Sequence, residues 1–150
     1  MTLKSILLTT VLIGNASLMN LSPIMAQNPP AETYQPGFWQ PVARVNPQLP
    51  IKIELINQSG ITLDYAITES QMKPVQIAPS ATATLNNVEI PLYIVIYPDS
   101  SVPNSSKINL KYFVTVTEEN VVKVEVRQTE DVSTGNRTFN LQETGAIFLY

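Results

Sequence analysis

The chain of 150 residues contains no histidine and no cysteine. The first absence removes the commonest general base near neutral pH and the commonest nitrogen ligand for metals. The second removes thiol nucleophiles and disulfides, and together they exclude iron–sulfur clusters, histidine-ligated haem and zinc sites built on thiolate or imidazole. Charge is sparse as well: Asp, Glu, Lys and Arg make up 14% of the residues. Carboxylates, hydroxyls and a few lysines are the whole inventory for acid–base chemistry. Glycine occurs five times, and none of these positions forms a nucleotide-binding loop.

What is present begins at the N-terminus. Lys4 supplies a short positive region, Ile6 to Ile13 an apolar stretch, and Pro23 to Ala26 a weakly polar end closing on a small residue. This order of zones is that of a cleavable signal peptide, residues 1–26, leaving Gln27 as the new N-terminus. A cut after Ala16 is the lesser alternative, since it would leave the apolar residues Leu18 to Met25 unexplained. A spanning anchor needs roughly 18 apolar residues in a row. Asn15, Ser17, Asn20, Ser22 and Pro23 interrupt the run first. No stable membrane insertion is expected after cleavage, and with no cysteine there is no lipid anchor.

Loss of the leader takes Lys4 from the nine basic residues and none of the 12 acids, moving the net charge from −3 to −4. An acidic chain is a poor partner for nucleic acid, whose phosphates require a cationic face. An exported domain without disulfides must hold itself together by an apolar core, which favours a bacterial envelope over a eukaryotic secretory route. The sequons at Asn57, Asn104 and Asn136 are what an Asn/Ser/Thr-rich chain produces by chance.

Residues 27–50 carry six prolines (Pro29, Pro30, Pro36, Pro41, Pro47 and Pro50), which predict an extended arm. Tyr34, Phe38 and Trp39 within it are too apolar for a plain linker. From Ile51 the period becomes two, the mark of half-buried strands. Ile51, Ile53 and Leu55 alternate with polar residues, as do Ile61, Leu63, Tyr65 and Ile67, and the four turn formers between them predict a β-hairpin. Val75 to Ala78, between prolines, reads as an edge strand. Ala81 to Leu85 is a further strand, and Leu92 to Tyr97, apolar on both faces, a central one. Ile108 to Val116 and Val122 to Val126 form the clearest hairpin, around Glu118-Glu119-Asn120. Thr138 to Leu141 and Ala146 to Tyr150 close the chain. Residues 51–150 thus predict an all-β domain, a single antiparallel β-sandwich of immunoglobulin-like or fibronectin-like type, with a small closed barrel as the alternative.

No catalytic residue and no metal site emerge, no cofactor is implied, and the chain reads as a non-enzyme. Ser70 and Lys73 match the serine–lysine spacing of penicillin-recognising enzymes. Pro74 denies them the helix that the chemistry needs, and the companion motifs are missing. Glu118 and Glu119 point apart on a solvent-washed turn, which suits blocking of edge association better than acid–base work on a glycan. Glu130 to Asn136 clusters oxygen donors but lacks the alternating acids of a calcium loop, so turn chemistry accounts for it. The aromatics are the better candidates. Tyr65 and Tyr112 share the phase of Ile, Leu and Val neighbours and belong in the core. Tyr93 and Tyr97 share a face opposite in phase to Leu92, Ile94 and Ile96. They serve either inter-sheet packing or, with Tyr34, Phe38 and Trp39, a binding surface.

The order Gly37-Phe38-Trp39-Gln40-Pro41, Ala43-Arg44-Val45-Asn46-Pro47, Leu55-Ile56-Asn57-Gln58-Ser59-Gly60 and Thr144-Gly145-Ala146-Ile147-Phe148-Leu149-Tyr150 resembles a group of small exported cyanobacterial proteins of unknown function. The resemblance covers most of the chain beyond the leader. It implies a periplasmic or cell-surface location and no particular activity. The expectation is a non-enzymatic envelope module that takes an envelope protein or a polysaccharide. A carboxylate-dependent glycan hydrolase and a calcium-stabilised surface domain stand as alternatives.

Overall fold

The computed structural model describes residues 40–150. Alternation of apolar and polar residues is converted there into ten strands: β1 (Ala43–Arg44), β2 (Lys52–Asn57), β3 (Leu63–Ile67), β4 (Val75–Ile77), β5 (Thr82–Leu85), β6 (Leu92–Pro98), β7 (Asn109–Val116), β8 (Val121–Thr129), β9 (Thr138–Leu141) and β10 (Ala146–Leu149). Single 3-10 turns at Ser105–Lys107 and Val132–Thr134 are the only helical elements among the described residues.

The strands form two sheets. One has six strands in the order β1-β10-β9-β6-β3-β4, the other four in the order β5-β2-β8-β7. Their inner faces share one core. Ile53 and Leu55 of β2 and Val122, Val124 and Val126 of β8 meet Leu63 of β3, Ile94 and Ile96 of β6 and Phe139 of β9, all essentially without solvent contact. Burial of each such side chain stabilises the fold by about 1.5–3 kcal/mol. The fold is therefore all-β, with two sheets packed face to face. β6 is central and β4 an edge, as their compositions predicted.

The predicted hairpin of β2 and β3 does not form. β2 pairs antiparallel with β5 and parallel with β8, while β3 pairs with β6 and β4 in the other sheet. The link between them is an arch over the core, and Asn57 explains it. Its fully buried amide Nδ2 donates to the carbonyls of Ile61, Ile77 and Ala78 at 2.8, 2.9 and 3.1 Å, and its Oδ1 accepts from the Ser59 N–H and hydroxyl. A polar side chain turned inward at the end of β2 thus ties the four-stranded sheet to β4 of the six-stranded one. With both ends engaged in the core, Asn57 is unavailable to a glycan.

Tyr112 makes a second tie. Its ring lies in the core, and its hydroxyl donates to the Ile96 carbonyl across the sheets at 2.8 Å. Burial pushes the phenol above its ordinary pKa, so it stays a neutral donor.

The second half of the proline-rich arm belongs to this body. Val42 donates its N–H to the Ile147 carbonyl, β1 pairs with β10, and Val45 is buried. Asn120, in the turn between β7 and β8, clamps the following segment. Its Oδ1 accepts the Asn46 N–H at 2.8 Å, and its Nδ2 donates to the Asn46 and Pro50 carbonyls. That turn carries Glu118 and Glu119 exposed, as expected, while Asn120 is buried.

Open edges are mostly short. β4 has three residues between Pro74 and Pro79, and β1 has two. The long edge, β7, is partly occupied: Asn136 accepts the Tyr112 N–H through Oδ1 at 3.0 Å and donates its own N–H to the Leu110 carbonyl at 2.7 Å. One asparagine thereby stands in for a strand residue and blocks part of an edge that would otherwise invite another chain.

Candidate functional site

Sheet alternation turns every second residue of the six-stranded sheet outward. On β6 these are Tyr93, Val95 and Tyr97, all half-buried. Across the register Tyr93 stands opposite Asn140 of β9, which stands opposite Phe148 of β10. The rings of Phe148 and Tyr150 stack with centroids 6.4 Å apart and planes 6° apart. Two aromatic rows therefore flank β9, separated by about two inter-strand spacings, ~10 Å. Thr138, Asn140 and Gln142 lie between them.

Asn140 is the odd member of this face. Its neighbours Phe139 and Leu141 point into the core, so Asn140 points outward, yet it is only 5% exposed and its Oδ1 has no hydrogen-bond partner. A buried acceptor left unsatisfied costs about 1–3 kcal/mol. Such a cost marks either stored strain or a place for a donor from elsewhere.

Beside Asn140 a cavity of about 320 Å³ opens, lined by Pro91, Tyr93, Gln142, Glu143 and Thr144. Its far wall is the tight turn between β9 and β10. There the Gln142 N–H donates to the Ala146 carbonyl and the Gly145 N–H to the Gln142 carbonyl. Gly145 is required twice: its φ is +77°, and an added methyl would overlap the Val45 carbonyl oxygen. The chain leaving β1 and the wall of the cavity are thus locked together through one glycine.

At the other end of the same face the carboxyls of Asp64 and Asp99 lie close enough to influence each other's titration, next to Tyr97. Asp99 is held at a pKa of about 2 by the hydroxyl and N–H of Ser101 and by the Gln76 amide, which donates at 3.0 Å. Asp64 is raised by its own burial and by the charge of Asp99. Two acids with divergent titration can hold one proton between them. Neither lines the cavity at Tyr93, whose lone acid is Glu143.

Of the residues singled out in the sequence, Tyr93 and Tyr97 share the outer face of the six-stranded sheet, about 13 Å apart along β6. They point away from the other sheet, so inter-sheet packing is not their role. Tyr34, Phe38 and Trp39, and the signal peptide, lie outside the described residues. Tyr65 and Tyr112 are buried in the core. Ser70 and Lys73 occupy an exposed connection with no helix, the Ser70 hydroxyl accepting the Met72 N–H. Asp131 spends its carboxylate on the N–H and hydroxyl of Ser133, capping the 3-10 turn of the segment considered for calcium. Among the described residues no cluster of three or more acids could hold a metal ion. None of their helices is long and apolar enough to cross a membrane.

Sequence reasoning missed Asn140, Gln142 and the Asp64–Asp99 pair. An asparagine alternating with Phe139 and Leu141 was a signal for a polar outer position, but its burial depends on strands distant in sequence.

The class defined by these observations is a two-sheet, all-β domain with an aromatic, nearly uncharged outer face and a small adjoining cavity. Comparison with protein-family models, with curated proteins and with solved structures finds no match to this chain.

Proposed function

We propose that this chain is a non-enzymatic exported binding module of a cell envelope or cell surface, presenting the outer face of its six-stranded sheet to an envelope protein or a polysaccharide. The observation that carries this reading is the patch of Tyr93, Val95, Tyr97, Phe148 and Asn140, aromatic and uncharged, with a buried acceptor left open. Partly exposed aromatic residues grouped on one face in this way are enriched at binding surfaces. The leader-like order of residues 1–26 supports export, the lack of cysteine favours a bacterial envelope over a eukaryotic route, and the resemblance to small exported cyanobacterial proteins adds periplasm or cell surface as the setting. Acidity sets nucleic acid aside as a partner.

The finer fold assignment in this reading is immunoglobulin-like or fibronectin-like. In that architecture the B and E strands share one sheet and C and F the other. β2, β3, β5 and β6 follow this order, since β2 pairs with β5 and β3 with β6. The strand lying parallel to β2, β8, is a departure from it.

The test is affinity capture from the organism's own envelope fraction with the wild-type chain, Tyr97→Lys and Thr115→Lys. Tyr97→Lys places a charge on the aromatic face, and Thr115→Lys places one on the opposite outer face. Capture lost only in Tyr97→Lys is the expected result. Equal capture by all three, or none by any, refutes the reading. N-terminal sequencing of exported material should begin at Gln27.

A further inference from the structure

Resting on the binding reading above, we infer that the cavity beside Tyr93 is a subsite for a neutral sugar, so that the ligand class of this face is an uncharged glycan rather than a protein or an anionic polymer. Four features of the site carry the inference.

The lining has the chemistry that polyols require. Tyr93 and Pro91 offer flat apolar surfaces to the C–H face of a sugar ring, as aromatic side chains do for apolar faces in general. Gln142, Glu143 and Thr144 offer an amide, a carboxylate and a hydroxyl, groups that donate to and accept from neighbouring hydroxyls. Next to them sits Oδ1 of Asn140, one cross-strand step from Tyr93 and two residues from Gln142 on the same face, an acceptor without a donor. That oxygen is buried and outside the lining, so the polar contacts open to a ring in the cavity are those of Gln142, Glu143 and Thr144.

The charge of the cavity selects against anions. No lysine or arginine lines it, and its one charged group is Glu143. A uronate, phosphate or sulfated sugar would meet the exposed carboxylate of Glu143 with no cation in the lining to offset it.

The backbone selects against an extended peptide. β6 is paired on both sides, by β3 and β9, and β9 is paired by β6 and β10. A strand laid over this face finds no free N–H or C=O, and strand addition needs an open edge.

Size fits as well. A cavity of about 320 Å³ stands at the lower end of small-ligand sites, with room for roughly one or two sugar rings. The flanking rows of Tyr93 and Tyr97 on one side and Phe148 and Tyr150 on the other continue beyond it along β9. A longer chain would extend along that path.

The experiment is titration of the full-length processed protein, followed by amide and aromatic NMR shifts, with four neutral probes: cello-, chito-, malto- and manno-oligosaccharides. Oligogalacturonate and a proline-rich peptide serve as charged and peptide comparisons. At least one neutral series should shift Tyr93, Asn140 and Gln142, with saturation below about 10 mM. Tyr93→Ala and Gln142→Ala should each weaken that binding about tenfold, while Phe113→Ala on the opposite outer face leaves it unchanged. All three variants should keep the wild-type pattern of shifts elsewhere, which separates lost binding from lost folding. Silence of all four neutral series, preference for oligogalacturonate or the peptide, or binding indifferent to Tyr93→Ala would each overturn the sugar assignment. If envelope capture still depends on Tyr97 in that event, the binding reading survives and only the ligand class is wrong.

Discussion

The two sheets share one core and turn different faces to the outside. The four-stranded sheet carries Lys52, Glu54, Lys111, Lys123, Glu125 and Arg127 on its outer side. Lys52 pairs with Glu54 at 2.7 Å and Arg127 with Glu125 at 2.8 Å. Even its exposed aromatic residue, Phe113, lies beneath cations, with Lys111 5.8 Å and Arg127 5.0 Å from the ring centre. The six-stranded sheet has only Asp64 in its interior and Arg44 at its edge, and otherwise turns out Tyr93, Val95, Tyr97, Thr138, Asn140 and Phe148. The first surface is built for water. The second tolerates an unsatisfied amide and a carboxyl with a raised pKa, costs that a surface meant only for solvent has no reason to carry.

The contrast is open to direct attack. The largest effect is expected at the two glycines with the same φ of +77°. Gly145→Ala should destabilise by about 3 kcal/mol or more, because backbone strain adds to overlap with the Val45 carbonyl. Gly60→Ala, in the arch with open space around it, should cost only about 1 kcal/mol. Urea unfolding of both variants checks this, and equal losses would remove the turn of Gly145 from its place as the anchor of the cavity wall.

Next in size is a charge placed on each face. Val95→Lys, half-buried between Tyr93 and Tyr97, should cost about 2 kcal/mol, whereas Thr115→Lys, exposed in β7, should stay within about 0.5 kcal/mol. If thermal melts show the two to be alike, the two faces do not differ in kind.

A smaller change, of opposite sign, is expected at Asn140. Asn140→Leu removes the orphaned acceptor and should stabilise the unliganded protein by about 1 kcal/mol, since replacing an unpartnered polar group by an apolar one of similar shape is neutral or favourable. A Tm that falls instead would mean that the amide is satisfied in solution.

The subtlest effect is in the acid limb of stability. Asp99 titrates near 2 in the folded protein against an ordinary 3.8. Its contribution is therefore present above 3.8 and is lost as pH falls toward 2. Asp64 runs the other way: its pKa is raised, so its contribution is present at low pH and is lost as pH rises through the raised value. Asp99→Asn should flatten the acid limb and bring the Asp64 titration down toward the ordinary range, followed by carboxyl carbon NMR. An Asp64 titration that does not move would show that the two carboxyls are not coupled.

Strand content was legible because it is local. Period-two alternation reports which side of a pleat meets the core, and it located β6, β7 and β9 within one residue and β8 within three. It also put Tyr93 and Tyr97 on one face and Tyr65 and Tyr112 among core residues. What it could not report was which sheet a strand joins. β2 and β3 have the pattern of a hairpin, and only the inward turn of Asn57, bonded to β4 some twenty residues on, sends β3 to the opposite sheet. The same limit hid the candidate site. Asp64 meets Asp99, and Tyr93 meets Asn140, across pairings that no run of neighbouring residues encodes.

Composition by itself determined what chemistry is unavailable to this protein: with neither histidine nor cysteine in the chain, no thiol or imidazole exists to be positioned. It determined too that the chain would form strands, since alternation and proline act through each residue's own backbone and immediate neighbours. The tertiary structure alone decided that one sheet's exterior became a charged, solvated surface and the other's an aromatic face with an open acceptor. Burial is a property of what packs on a residue, and for Asn140 the flanking rings come from β6 and β10, brought together only when the sheet assembles.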